Sequence, residues 1–194
     1  MKKLILLLLM LTTMIFMGAC GLSEQSVTED TITVDKKGQV SGIIVEDFEK
    51  EYYSQQELSQ MITEEIDAYN NGGDAIRLEK FEVSDLDGKA YVNITYASTQ
   101  DYKVFNEAEL FDGTVSDAYQ AGYEFVDVRS VNEGDAGLDA KSVPEKGSMR
   151  ILIFEEPVAV QVSGKIAYVS DGVTVTNKRA ARADGDGLFY VLYE

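Results

Sequence analysis

Hydrophobic and polar positions divide the chain into three textures. Leu4 to Met17 is apolar apart from Thr12 and Thr13, Gly21 to Asp30 is small, polar and acidic without a period, and patterned segments begin at Thr31. Thr31 to Val34 and Gln39 to Phe48 are β-prone and flank the turn-like Asp35-Lys36-Lys37-Gly38, which predicts a hairpin. From Ser54 to Asn70 the apolar residues Leu58, Met61, Ile62, Ile66 and Tyr69 recur along one helical face. Ser54 with Glu57 forms a capping box, Tyr53 and Leu58 are placed as a hydrophobic staple, and Asn70-Asn71-Gly72-Gly73 is a stop.

Ile76 to Ser84 and Lys89 to Ala97 read as two strands around Asp85-Leu86-Asp87-Gly88. The apolar phase slips between Leu78 and Phe81, which predicts a bulge near Glu79 and Lys80. Ser98 with Asp101 starts a short helix reaching about Leu110, and Thr114 with Asp117 starts another that stops at Gly122. Phe125 to Arg129 reads as a strand. Asn132 to Ser148 is then a long loop, rich in acids and glycine at its start. Disorder is the favoured reading there, with Glu133, Asp135 and Asp139 as the residues that would meet a cation or a basic partner.

Beyond Arg150 the pattern is all β. Ile151 to Phe154 precedes the break Glu155-Glu156-Pro157, and Val158, Val160 and Val162 alternate. Turns at Ser163-Gly164, Asp171-Gly172 and Asp184-Gly185-Asp186-Gly187 separate Lys165 to Ser170, Val173 to Ala180 and Leu188 to Tyr193. The expected fold is α+β: an amphipathic helix and short helices on an antiparallel sheet, followed by an antiparallel meander that closes as a barrel or a sandwich. Residues 31–194 form one acidic domain in this reading, with 149 the place for any subdivision.

The start of the chain speaks to location. Lys2 and Lys3 precede the 14-residue apolar run, the layout of an export signal. A helix needs about 20 residues to cross a bilayer, so the run is short for a permanent span. Met17-Gly18-Ala19-Cys20 resembles the lipobox of bacterial prolipoproteins, in which two small residues precede the cysteine. The resemblance covers these twenty residues alone. It implies cleavage behind Ala19, a diacylglyceryl group on Cys20, residues 1–19 as the signal peptide and residues 20–30 as a lipidated tether. Two acyl chains bind a membrane stably, at about 0.8 kcal/mol per buried CH2, so the protein is expected on the extracytoplasmic side, lipid-anchored to the cell membrane.

Charge and chemistry narrow the functions. Past Ala19 the chain keeps 15 basic and 34 acidic residues, a formal charge of −19. The surplus is uneven: 10 basic and 28 acidic residues fall in 20–149, but 5 and 6 in 150–194. Such a field disfavours nucleic acid and anionic lipid headgroups; it suits a protein or cationic partner, or simply solubility. The chain has no His, and its one Cys is the lipidation candidate Cys20. That removes His-based general bases, Ser-His-Asp and Cys-His arrangements and most zinc sites. Asp85 with Asp87, and Asp184 with Asp186, resemble the start of calcium loops but lack the further ligands. Lys178, Arg179 and Arg182 make the only basic cluster in the sequence, read as charge balance for an acidic body. No cofactor motif is present. The expected function is a non-catalytic binding or structural module of the envelope, the alternative a cell-wall-acting enzyme using carboxylates or Ser-Lys chemistry.

Overall fold

A computed structural model describes residues 28–49 and 54–194; Cys20 and Tyr53, with the signal and staple readings that rest on them, lie outside the described residues. The fold is α+β, with two sheets in which antiparallel pairing dominates. The first hairpin pairs β1 (Thr31–Val34) with β2 (Val40–Asp47), register Thr31 opposite Ile43. The helix α1 (Gln55–Asn70) starts at Ser54, whose side chain accepts from the Glu57 N–H at 3.2 Å, and ends at Asn71 in the left-handed region. Strands β3 (Ile76–Ser84) and β4 (Lys89–Tyr96) pair antiparallel, with the register shift between Leu78 and Lys80, where the sequence put the bulge.

The helix α2 (Thr99–Asn106) stops short of Leu110, because Glu107 takes a left-handed conformation at φ 54°. Leu110 instead opens a strand missed in the sequence, β5 (Leu110–Thr114). The helix α3 (Val115–Gln120) carries a full capping box: Thr114 Oγ1 accepts from the Asp117 N–H at 3.1 Å, and the Asp117 carboxylate accepts from the Thr114 N–H at 2.9 Å.

Strand β6 is Val128–Ser130 rather than 125–129. The segment 132–148, for which disorder was the favoured reading, has a defined path. Val128 and Leu138 exchange backbone hydrogen bonds at 2.9 and 2.8 Å, and a 3-10 turn, Val143–Lys146, buries Val143.

The remaining strands are β7 (Arg150–Phe154), β8 (Ala159–Gln161), β9 (Ile166–Ser170), β10 (Val173–Asn177), β11 (Ala180–Ala183) and β12 (Phe189–Tyr193). The expected single strand from Val173 to Ala180 is a hairpin turning at Lys178 and Arg179. The expected meander is dealt out between two sheets: a larger one in the order β10-β11-β8-β1-β2-β4-β3, and a smaller one in the order β5-β7-β12-β9-β6. β8 lies parallel to β1, with Ile32 opposite Val160. No closed barrel forms among the described residues.

One apolar cluster joins the layers. Ile32, Val34, Val40, Val92, Ile94, Tyr96, Val160 and Ala181 come from one face of the larger sheet, and Leu110, Leu152, Phe154, Phe189, Val191 and Tyr193 from one face of the smaller, with Ile66 and Tyr102 from the helices. On the other face of the smaller sheet Ile151, Ile153, Tyr190 and Leu192 meet Val115, Ala118 and Val143. β7 and β12 are thus apolar on both faces, which explains their unbroken runs Ile151-Leu152-Ile153-Phe154 and Phe189-Tyr190-Val191-Leu192-Tyr193.

Candidate functional site: a basic pocket at one end of both sheets

The parallel pairing of β1 with β8 makes both strands end on the same side of the larger sheet, and β11 starts there. Three turns therefore meet: Lys36 follows β1, Ser163, Gly164 and Lys165 follow β8, and Lys178 and Arg179 precede β11. The smaller sheet adds Arg150, first residue of β7, and Tyr193, last of β12, which are register partners. Together with Glu194 these residues line a pocket of about 570 Å3.

Backbone bonds hold the turns in place. The Ile166 N–H donates to the Lys178 carbonyl and the Val162 N–H to the Arg179 carbonyl, both at 2.9 Å, while the Lys165 N–H donates to the Glu194 carbonyl at 2.8 Å. The Asp35 carboxylate accepts from the N–H groups of Lys37 and Gln39 at 2.7 and 3.0 Å and shapes the turn carrying Lys36. At Gly164 the chain passes so close to the Glu194 carbonyl that a Cβ would overlap it.

Beneath the pocket stands a polar trio on β5, β7 and β12. Asp112, its side chain 1% exposed, accepts from the Arg150 guanidinium and from the Tyr193 hydroxyl. Arg150 Nε also donates to the Tyr193 oxygen at 3.4 Å. Burial pushes the Asp112 carboxyl above its ordinary range, against the opposing pull of Tyr193 and Arg150. For Arg150 burial acts downward, yet the Tyr193 oxygen and the Asp112 charge outweigh it and raise the guanidinium further. Arg150 stays 40% exposed, so its outer edge is presented to the pocket from a fixed base.

Lys36, Lys165, Lys178 and Arg179 are exposed, and no described carboxylate lies within ion-pairing distance of any of them. Five cations thus converge on one hollow of a domain whose net charge is strongly negative, with Glu194 the acid lining it. Like charges gathered without partners cost stability, and a bound anion offsets that cost. Comparison with family models, curated proteins and solved structures finds no match. The site is read from its geometry.

Of the basic cluster in the sequence, the structure brings Lys178 and Arg179 to the pocket and parts them from Arg182, which pairs with Glu29 and, at 3.1 Å, with Asp184 at the other end of β11. Sequence reasoning missed Lys36, Arg150 and Lys165, which lie far apart along the chain. The available signal for Arg150 and Lys165 was the near-neutral balance of residues 150–194 within an acidic protein; Lys36, in the acidic stretch, had none. Ser163 and Lys165 both line the hollow, with no hydrogen bond between the hydroxyl and an ammonium among the described residues.

Asp87, Asp135 and Asp139 among the acidic candidates serve local structure. Asp139 accepts from the N–H groups of Lys141 and Ser142 at 3.0 and 2.9 Å, and Asp135 from the Asn132 amide at 3.0 Å. Asp87 accepts from the Tyr91 hydroxyl at 2.6 Å and fastens its own hairpin. Among the described residues no group of three His, Cys, Asp or Glu side chains converges as a metal site. A hollow of about 880 Å3 over the β3–β4 hairpin is lined by Glu82, Asp85 and Asp87 with Ile43, Val83 and Tyr91. There Glu82 pairs with Lys80 at 2.8 Å and Asp87 accepts from the neutral Tyr91 hydroxyl, so Lys80 balances one of the three acids.

Proposed function

We propose that the protein is a lipid-anchored module on the extracytoplasmic side of a cell membrane, held by Cys20, whose domain captures an anionic ligand without catalysing its turnover. The anchor half of this reading is supported by the basic, apolar and small-residue order ending in Met17-Gly18-Ala19-Cys20. The capture half rests on the convergence of Lys36, Arg150, Lys165, Lys178 and Arg179 on one pocket. An acidic domain that concentrates a third of its mature cations in one hollow has a local field opposite to its global one. The local field draws small anions able to enter, while the global one repels extended acidic surfaces at a distance. Lysine ammonium groups and one edge of a fixed guanidinium bind and orient an anion. Three turns of two sheets set the pocket's outline, so the site is built by the whole fold.

Two measurements test the reading. Cys20→Ser should abolish lipidation; a variant still cleaved and wholly detergent-partitioning would contradict the anchor. For the full-length protein in detergent, sulfate at matched ionic strength should raise the thermal midpoint relative to chloride, through binding to the folded state. Lys178→Ala combined with Arg179→Ala should remove the part of that rise due to the site and leave only the general salting effect. Equal rises in both proteins would count against anion capture.

A further inference from the structure

A second hollow adjoins the basic pocket. A neighbouring hollow of about 390 Å3 is lined by Glu145, Lys146, Ser148 and Met149, and it shares Arg150, Tyr193 and Glu194 with the first. The shared residues make the two one trough, with Lys36, Lys165, Lys178 and Arg179 in one lobe, Lys146 in the other, and Arg150 between them. Six cations stand there against the two acids Glu145 and Glu194, a surplus beyond what one small anion needs.

The donor types narrow the chemistry. A guanidinium fork suits carboxylate and phosphate alike, whereas ammonium point charges arriving from several directions suit the tetrahedral oxygens of phosphate better than a planar carboxylate. Arg150 has committed its Nε and one terminal nitrogen to Tyr193 and Asp112, so its side-on edge is taken and only its outer end faces the trough. Four of the six cations are lysines.

The direction of the trough also bears on its ligand. The domain's described chain enters the larger sheet at Thr31, where Glu29 pairs with Arg182, and Lys36 lies beyond the opposite end of β1. At about 3.3 Å per residue that separates the entry from the trough by roughly 10 Å or more. With Cys20 as the anchor proposed above, the chain joins the domain at the end of β1 opposite the trough.

Resting on the anion-capture reading above, we propose that the trough binds an extended chain of phosphate groups in the space beyond the membrane, at least two successive phosphates spanning Lys178 and Arg179 in one lobe and Lys146 in the other. A single phosphate fills one lobe; a longer chain engages both and gains from each added charge.

The test is calorimetric titration of the full-length protein in detergent at fixed ionic strength, with orthophosphate, tripolyphosphate and citrate as probes. Tripolyphosphate should bind at least about tenfold tighter than either of the others. Lys146→Ala should weaken tripolyphosphate several-fold and leave orthophosphate unchanged, since only the long anion reaches that lobe. Citrate binding as tightly as tripolyphosphate would overturn the phosphate assignment and leave anion capture standing. A Lys146→Ala protein that binds tripolyphosphate normally would overturn the extended ligand. Absence of binding by all three probes would overturn this proposal and the capture reading together, whereas a sulfate-specific thermal shift alongside it would spare the latter. A short-chain phosphatidylglycerol below its micelle concentration should not displace tripolyphosphate; displacement would assign the trough to lipid headgroups and overturn the proposal.

Discussion

A buried carboxylate under a pocket of cations sets up a test at the level of one residue. Asp112 is almost fully enclosed, and burial raises its carboxyl despite Tyr193 and Arg150. A carboxyl raised in the folded state holds its proton more tightly there than in the unfolded chain. Its contribution to stability is therefore full below the ordinary carboxylate range and is lost as pH rises through its raised value. Against Asp112→Asn, the unsubstituted protein should lose stability as pH rises through that window, read as diverging urea midpoints; parallel curves would show that Asp112 titrates normally. Tyr96 gives the alkaline counterpart. Burial raises its hydroxyl to about 12, so the protein should lose stability between pH 10 and about 12, with Tyr96→Phe flattening the loss. Neither group was legible as special in the sequence. Asp112 sits in the weak strand pattern Leu110-Phe111-Asp112-Gly113-Thr114, and its partners are distant in sequence: Arg150 opens the next strand of the sheet and Tyr193 ends the one beyond it.

At the scale of elements, what was legible was local. Ser54, Ser98 and Thr114 each announce a helix through a bond to the third following residue, and all three helices begin there. Thr114→Ala removes the capping pair of α3 and should cost about 1 kcal/mol, measured by chemical unfolding. The end of α2 was illegible because Glu107, not a glycine, takes the left-handed turn. The bulge in β3 was legible because a slipped apolar phase leaves its mark within one strand. Strand partners were not. Alternation in Val158, Val160 and Val162 fixes which side faces inward but says nothing of which strand lies beside it, so the parallel pairing of β8 with β1 could not be foreseen. The pocket inherits that limit, since the β1–β8 pairing brings Lys36 to Ser163 and Lys165.

At the scale of the molecule, a subdivision near residue 149 would predict two unfolding steps. The apolar cluster joining Ile32, Val92 and Tyr96 to Leu152, Phe154 and Val191 argues for one. Leu192→Ala, a truncation at a fully buried site of the smaller sheet, should cost about 2–5 kcal/mol and shift the whole transition, with fluorescence and circular dichroism moving together. A split transition would place a boundary between the sheets. The position of β12 has a temporal consequence. It occupies the middle of the smaller sheet, between β7 and β9, yet it is later in the chain than every strand it joins. The smaller sheet has no centre until β12 has been synthesised. During nearly all of translation the chain lacks the partner that would let it close prematurely. Under the export proposed above, a smaller sheet left open in this way closes after the chain has crossed the membrane.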